Sequence, residues 1–286
     1  MKRRLCKIVS IVLCMVMLMS QAVWADGIFG GNKEYVSLGA DLTDKEKDTV
    51  LKLLGIENLD DYNVEYITNE QEHEYLDEYL SKSVIGTRAL SSVHVQEGGD
   101  GIEVKTYNIS FCTEGMYRNA LATAGMENAQ VTVAGPFNIS GTAALVGAMK
   151  AYESMTGENI SEENLDAANQ ELVVTGEVAE TIGEEEAEQL MALIKEKVVS
   201  EDANTVAEIE QIIDEASQEL QVNLSDEDQA KIEELMKKIS SLDLDINQLK
   251  EQAKEIYTKL EDMGLSLDEG FFNKIKNWIF SLFDFL

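Results

Sequence analysis

The residues that most often carry chemistry are scarce in this chain. Its 286 residues include three cysteines, two histidines and one proline. Cys6 and Cys14 lie in the first 25 residues, so a chain cut after Ala25 keeps only Cys112 and can form no internal disulfide. Such a protein must be held together by its core. Two histidines and one cysteine do not readily supply a structural zinc site, and neither a metal nor a cofactor is expected. The single proline, Pro136, and the lack of Gly/Ser/Pro-rich stretches exclude a long disordered linker. Positive charge is scarce as well: 23 basic side chains face 54 acidic ones, for a net charge of −31. A surface of that sign repels nucleic acid and anionic lipid and attracts cations or a basic partner. Its blander effect is to keep an exported protein soluble and monomeric.

The first 25 residues have the three parts of a secretory signal. Lys2, Arg3, Arg4 and Lys7 form a basic patch, Ile8 to Met19 is almost wholly apolar, and Val23-Trp24-Ala25 ends in a small-residue cleavage site. The apolar stretch of about 12 residues is short of the roughly 20 that a spanning helix needs, so cleavage after Ala25 is expected rather than anchoring. Neither Cys6 nor Cys14 follows a small residue, which argues against a lipoprotein signal. Residues 1–25 hold four basic and no acidic side chains. The remainder therefore carries 19 basic against 54 acidic ones, a net charge of −35.

Two regions of different periodicity follow. Residues 26–157 mix strands and helices. Tyr35–Leu38 and Val64–Ile67 read as strands, and Thr43-Asp44-Lys45-Glu46 is a capping box that opens a helix stopped at Gly55. Asn69–Ser81 reads as a second helix. Ser91–Gln96 and Ile102–Phe111 alternate around Gly98-Gly99-Asp100-Gly101 and read as a hairpin. A helix over Met116–Ala124, a strand at Val131–Ala134 and a helix from Gly141 capped by Ser140 complete the region. There is a faint internal echo: Leu53-Leu54-Gly55-Ile56-Glu57-Asn58 and Ala124-Gly125-Met126-Glu127-Asn128 each join a helix to a strand. It fits either two related α/β half-units or a common helix–strand connection.

Residues 158–286 read as amphipathic helices with apolar residues spaced near 3.6, such as Ile209, Ile212, Ile213 and Ala216. Breaks at Asn223, Leu242-Asp243 and Gly264 favour an acidic antiparallel helical bundle over an extended coiled coil. The fold class expected is α+β, a mixed α/β region followed by that bundle. In the last helix Phe271, Ile275, Trp278, Ile279, Leu282 and Phe283 share a wide apolar face. It would either close the bundle or lie on a membrane or partner, with residues 271–286 as the peripheral contact.

Several segments together resemble a known family. They are Ser37-Leu38-Gly39-Ala40-Asp41-Leu42-Thr43, Ile85-Gly86-Thr87-Arg88-Ala89-Leu90-Ser91-Ser92, Tyr107-Asn108-Ile109, Ala120-Leu121-Ala122-Thr123-Ala124-Gly125, Gly135 to Leu145, and Glu171-Leu172-Val173-Val174-Thr175-Gly176-Glu177. In this order they resemble the YpuA-like family of exported Gram-positive proteins, a domain of unknown function. The resemblance covers Tyr35 to Gly183 and implies no catalytic or binding residues.

The residues themselves offer little for catalysis. His73 sits among Glu70, Glu72, Glu74 and Asp77 and reads as solvated, while His94 lies on a strand face opposite Val93 and Val95. Ser140 lacks the flanking glycines of a nucleophile elbow, since Asn138 and Thr142 stand there. Cys112 reads as a buried small hydrophobe. Asp243, Asp245 and Asn247 fit the start of a calcium loop, but Gln248 and Lys254 replace its glycine and its last glutamate. The most distinctive local feature is the loop with Gly135, Ser140, Gly141 and Thr142. It is either a site where a helix N-terminus meets a ligand or a tight connection. The function expected is a non-enzymatic binding or scaffolding role for an exported protein at the cell envelope. An envelope hydrolase working through paired carboxylates and a membrane-surface tether are the alternatives.

Overall fold

The computed structural model describes residues 34–99 and 101–262. The expected signal peptide, residues 1–25, and the expected apolar helix face at Phe271, Ile275, Trp278, Ile279, Leu282 and Phe283 lie outside the described residues. The structure is α+β, with a mixed five-stranded sheet and ten α-helices among those residues.

The strands are β1 (Tyr35–Gly39), β2 (Asn63–Ile67), β3 (Ser92–Glu97), β4 (Ile102–Ile109) and β5 (Ala129–Ile139), in the order β2-β1-β3-β5-β4. The outer pairs β1/β2 and β4/β5 are parallel, and the central pairs β1/β3 and β3/β5 are antiparallel. Each parallel pair is joined through a helix, α1 (Asp44–Leu54) in the first and α4 (Glu114–Thr123) in the second. The internal echo in the sequence marks the ends of these two helices. Gly55 and Gly125 both have positive φ, and Ile56 N–H and Met126 N–H each donate back to the leucine five residues earlier, Leu51 and Leu121, at 2.9 Å. The same helix stop is used twice.

The hairpin expected between β3 and β4 is not there, because β5 lies between them. The glycine-rich turn instead wraps the start of β5. Gly98 N–H donates to Asn128 O at 3.1 Å, Gly101 N–H to Asn128 Oδ1 at 2.9 Å, and Ala129 N–H to Gly101 O at 3.0 Å. β5 also runs beyond the expected Val131–Ala134. Pro136 is tolerated there because the ladder to β3 ends at Ala134 and the ladder to β4 is broken between Tyr107 and Ile109.

Strand alternation divides the core between the two faces of the sheet. Val36 and Leu38 face α1, where they cluster with Val50, Leu54 and Ile56. Val93 and Val95 face the other side, where α5 (Thr142–Thr156) crosses the sheet. The expected helix over Asn69–Ser81 is shorter. α2 (Asn69–Leu76) ends in tight turns, Tyr79 N–H and Leu80 N–H both donating to Leu76 O, before the one-turn helix α3 (Lys82–Ile85). Those turns bring Leu80 and Ile85 into the core.

The remaining helices are α6 (Glu162–Ile182), α7 (Glu184–Ser200), α8 (Val206–Glu219), α9 (Asp226–Ile239) and α10 (Ile246–Asp262). α4 packs on both α6 and α7, so one apolar cluster runs from Ile67 through the helices to Tyr257. Within it, fully buried Lys195 of α7 donates to Asn119 O (2.9 Å), Thr123 Oγ1 (3.1 Å) and Glu171 Oε1 (3.0 Å), joining α4, α6 and α7. Asp245 is the N-terminal cap of α10, accepting from Asn247 N–H at 2.8 Å.

Candidate binding cleft

The loop from Gly135 to Gly141 is shaped by two close approaches. A side chain at Gly135 would lie 2.8 Å from Asn108 O. Asn108 itself has a positive φ at the break in the β4/β5 ladder and donates from Nδ2 to Gly135 O at 3.0 Å. Gly141 has φ +101°, and a Cβ there would lie 2.6 Å from Tyr117 Oη, which donates to Gly141 O at 2.5 Å. The loop is therefore pinned to β4 on one side and to α4 on the other.

It opens onto a cleft of about 470 Å³. One wall runs from Ser83 in α3 to Arg88 in the segment before β3; the other is formed by Ser110, Phe111, Phe137 and Ile139. Ser140, Thr142 and Glu72 line it as well, while Gly135 and Gly141 shape the loop without lining it.

The helix that starts at the cleft is not capped as its sequence suggests. Gly141, not Ser140, occupies the cap position of α5 and provides no side chain. Ser91, from the turn before β3, does the capping: its Oγ accepts from Ala144 N–H at 2.9 Å. Ser140 Oγ lies 3.2 Å from Thr142 Oγ1, and Thr142 Oγ1 donates to Glu72 Oε1 at 2.7 Å. Asn69 Nδ2 donates to the other carboxylate oxygen at 3.1 Å. Glu72 is 1 % exposed, and burial raises its pKa above the ordinary carboxylate value. An internal carboxylate thus stands at the N-terminus of α5, where the helix dipole favours negative charge.

Arg88 is the cation of the lining. It is held outward, donating to both carboxylate oxygens of Glu46 (2.8 and 3.3 Å) and to Asp41 O (2.7 Å). The guanidinium, together with the backbone and side chain of Thr43, holds the Glu46 carboxyl down at about 2. His73, expected to be solvated, is partly exposed and bridges two elements: Nδ1 lies 2.6 Å from Asp77 Oδ1 and Nε2 lies 3.2 Å from Gly86 O. His94 is buried on the α1 face of the sheet, 2.6 Å from Glu34 and edge-on to Tyr62, away from the cleft lining. Cys112 is buried, and burial raises its thiol pKa far above the ordinary value, so it is no ready nucleophile. Among the described residues, no group of three His, Cys, Asp or Glu side chains converges as a metal site would require, and no helix is long and apolar enough to cross a membrane.

Of the residues singled out in the sequence, Ser140 and Thr142 line the cleft; Glu72, Ser91 and Phe137 line it too and were not singled out. Glu72 lies four residues before Leu76 and so falls on the buried stripe of α2, a charge where an apolar residue belongs. Ser91 and Phe137 carried no comparable mark.

The fold and cleft define a class: an α+β protein with two parallel strand–helix–strand units around one central strand and a pocket at the N-terminus of a core helix. The chain belongs to the DUF1002 family, described as a protein of unknown function, whose profile matches residues 38–256. It is 40% identical over 253 residues to the uncharacterized protein YpuA of Bacillus subtilis (strain 168), a match covering 87% of this chain and 84% of that protein. The YpuA-like resemblance of the sequence is thereby established. No solved structure matches the chain. The segments that carried the resemblance meet in space: Asp41 Oδ2 accepts Ala89 N–H at 2.8 Å, Asn108 binds Gly135, and Thr123 binds Glu171 at 2.5 Å.

Proposed function

We propose that this chain is exported, is cleaved after Ala25, and acts at the cell envelope as a non-enzymatic binding module whose site is the cleft beside Ser140 and Thr142. The observation that carries this reading is the cleft itself. Its volume falls in the range of ligand sites, roughly 300–1,000 Å³, and it mixes apolar walls with hydroxyl groups. Binding is favoured over hydrolysis because the lining holds one carboxylate, Glu72, whereas acid–base hydrolysis through carboxylates uses two. We read α6 to α10 as an acidic antiparallel bundle that keeps the module soluble and free of anionic surfaces. On this reading residues 271–286 are a secondary contact, for which liposome flotation with and without them is the direct assay.

The test is a nitrogen-15 NMR titration of the chain beginning at Asp26, which keeps every described residue, with solubilised envelope fragments. The reading expects saturable shifts at Gly86, Thr87, Ser140 and Thr142, with the fragments recovered unchanged by mass spectrometry. Shifts confined to other surfaces, or conversion of the fragments that is lost in Ser140→Ala, would overturn it.

A further inference from the structure

The lining of the cleft is unusual in what it leaves free. Six of its residues carry hydroxyl groups: Ser83, Thr87, Ser91, Ser110, Ser140 and Thr142. A hydroxyl has one donor and two acceptor sites, so each retains capacity after the bonds it already makes. Ser110 Oγ donates to Ile139 O at 3.1 Å and keeps its lone pairs; Ser91 Oγ accepts from Ala144 N–H and keeps its proton.

The charges in the lining, by contrast, are already engaged. Arg88 is paired with Glu46, and both oxygens of Glu72 receive hydrogen bonds from Thr142 and Asn69. An anion would meet Glu72 without a free cation to offset it. A cation would have to displace buried Thr142 and half-buried Asn69 to reach that carboxylate.

The third feature is aromatic. Phe137 is 49 % exposed at the cleft, and Phe111 lines the same wall, half-buried. An aromatic face left in water beside a belt of neutral hydroxyls favours a ligand with one apolar face and a polar edge. A sugar ring has that form: its C–H face removes apolar area from water on the phenyl ring, and its hydroxyls exchange donors and acceptors with serine and threonine. Resting on the binding-module reading above, we infer that the cleft takes a neutral saccharide, stacked on Phe137 and bonded to the hydroxyls around Ser140.

The experiment titrates the nitrogen-15-labelled chain from Asp26 with chitotriose, cellotriose and maltotriose, and separately with inorganic phosphate and spermidine. At least one neutral trisaccharide is expected to give saturable shifts at Gly86, Thr87 and Ser140. Phe137→Ala should weaken that binding about tenfold, the equivalent of ~1.4 kcal/mol, whereas Phe137→Tyr should retain it. Phe137 is exposed, so folding of both variants is checked by the unchanged remainder of the spectrum. Absence of such shifts with all three sugars, or equal binding by Phe137→Ala, overturns the inference. If phosphate or spermidine alone moves these residues, the saccharide inference falls and the binding cleft stands. If neither these probes nor envelope fragments move them, both fall.

Discussion

Thr142 Oγ1 donates to Glu72 Oε1 at 2.7 Å, tying the first turn of α5 to α2 across 70 residues of sequence. Glu72 therefore joins α2 to the N-terminus of α5 and lines the cleft. Its position has a measurable cost. The raised folded-state pKa means that the native protein binds this proton more tightly than the unfolded chain. This contribution lowers stability as pH rises from the unfolded carboxylate value, near 4.5, through the folded one. Glu72→Gln removes it, so the stability of the variant relative to the native protein should increase between pH 4.5 and neutrality. Urea melts across that range measure the effect.

His73 carries the opposite charge but gives the same pH slope, since its pKa is also raised in the folded state. Both of its ring nitrogens face acceptors, Asp77 and Gly86 O, and only the imidazolium can donate to both. Hydrogen bonding to Asp77 raises its pKa, with Lys82 opposing; the carboxylate of neighbouring Glu72 also feels the imidazolium. The contribution is fully present below the unfolded value of 6.5 and is lost as pH rises through the folded value. Amides of the cleft wall around Gly86 should exchange faster, relative to the global rate, above neutrality than at pH 6. His73→Gln should remove that difference.

The buried pair of Lys195 and Glu171 predicts a large asymmetry between single and double replacement. Lys195→Met leaves Glu171 uncompensated in the core and should cost about 3–5 kcal/mol. Replacing Glu171 with Leu as well should recover much of that loss, because an apolar pair of similar volume avoids the desolvation penalty. A double-mutant cycle by denaturant unfolding measures the coupling. No recovery in the double variant would show that the hydrogen bonds to Asn119 and Thr123 dominate instead.

Much of this was legible before the structure. The capping box at Thr43, the stop at Gly55 and the apolar stripes of α8 and α9 are local signals, read within one turn of helix. The insertion of β5 between β3 and β4 was not legible, because glycine-rich turn chemistry does not say whether another strand will intrude. The cleft was half legible. Ser140 and Thr142 sit at a visible strand-to-helix junction, whereas Ser91 reaches α5 from 53 residues away. Lys195 could have been flagged as a charge between Met191 and Val198 on an apolar stripe, but only the fold shows that Glu171 meets it.

The two glycines that begin and end α5, Gly141 and Gly157, should differ in tolerance. Gly141→Ala meets both a positive φ and Tyr117 Oη, and should cost about 1–3 kcal/mol from overpacking. Gly157→Ala has a positive φ with open space around it, and should cost about 1 kcal/mol. Thermal unfolding of both variants tests the order; equal losses would contradict the packing described at Gly141.

The central claim is that the cleft beside Ser140 is the working surface and that it binds without turnover. Its most direct test is retention of the chain from Asp26 on isolated cell envelopes, compared with Ser140→Phe, which fills the cleft. Circular dichroism of both proteins controls for folding. The account predicts that the native chain is retained, the variant is released, and no soluble products appear. Equal retention of the two proteins, or soluble products formed by the native chain alone, would contradict it.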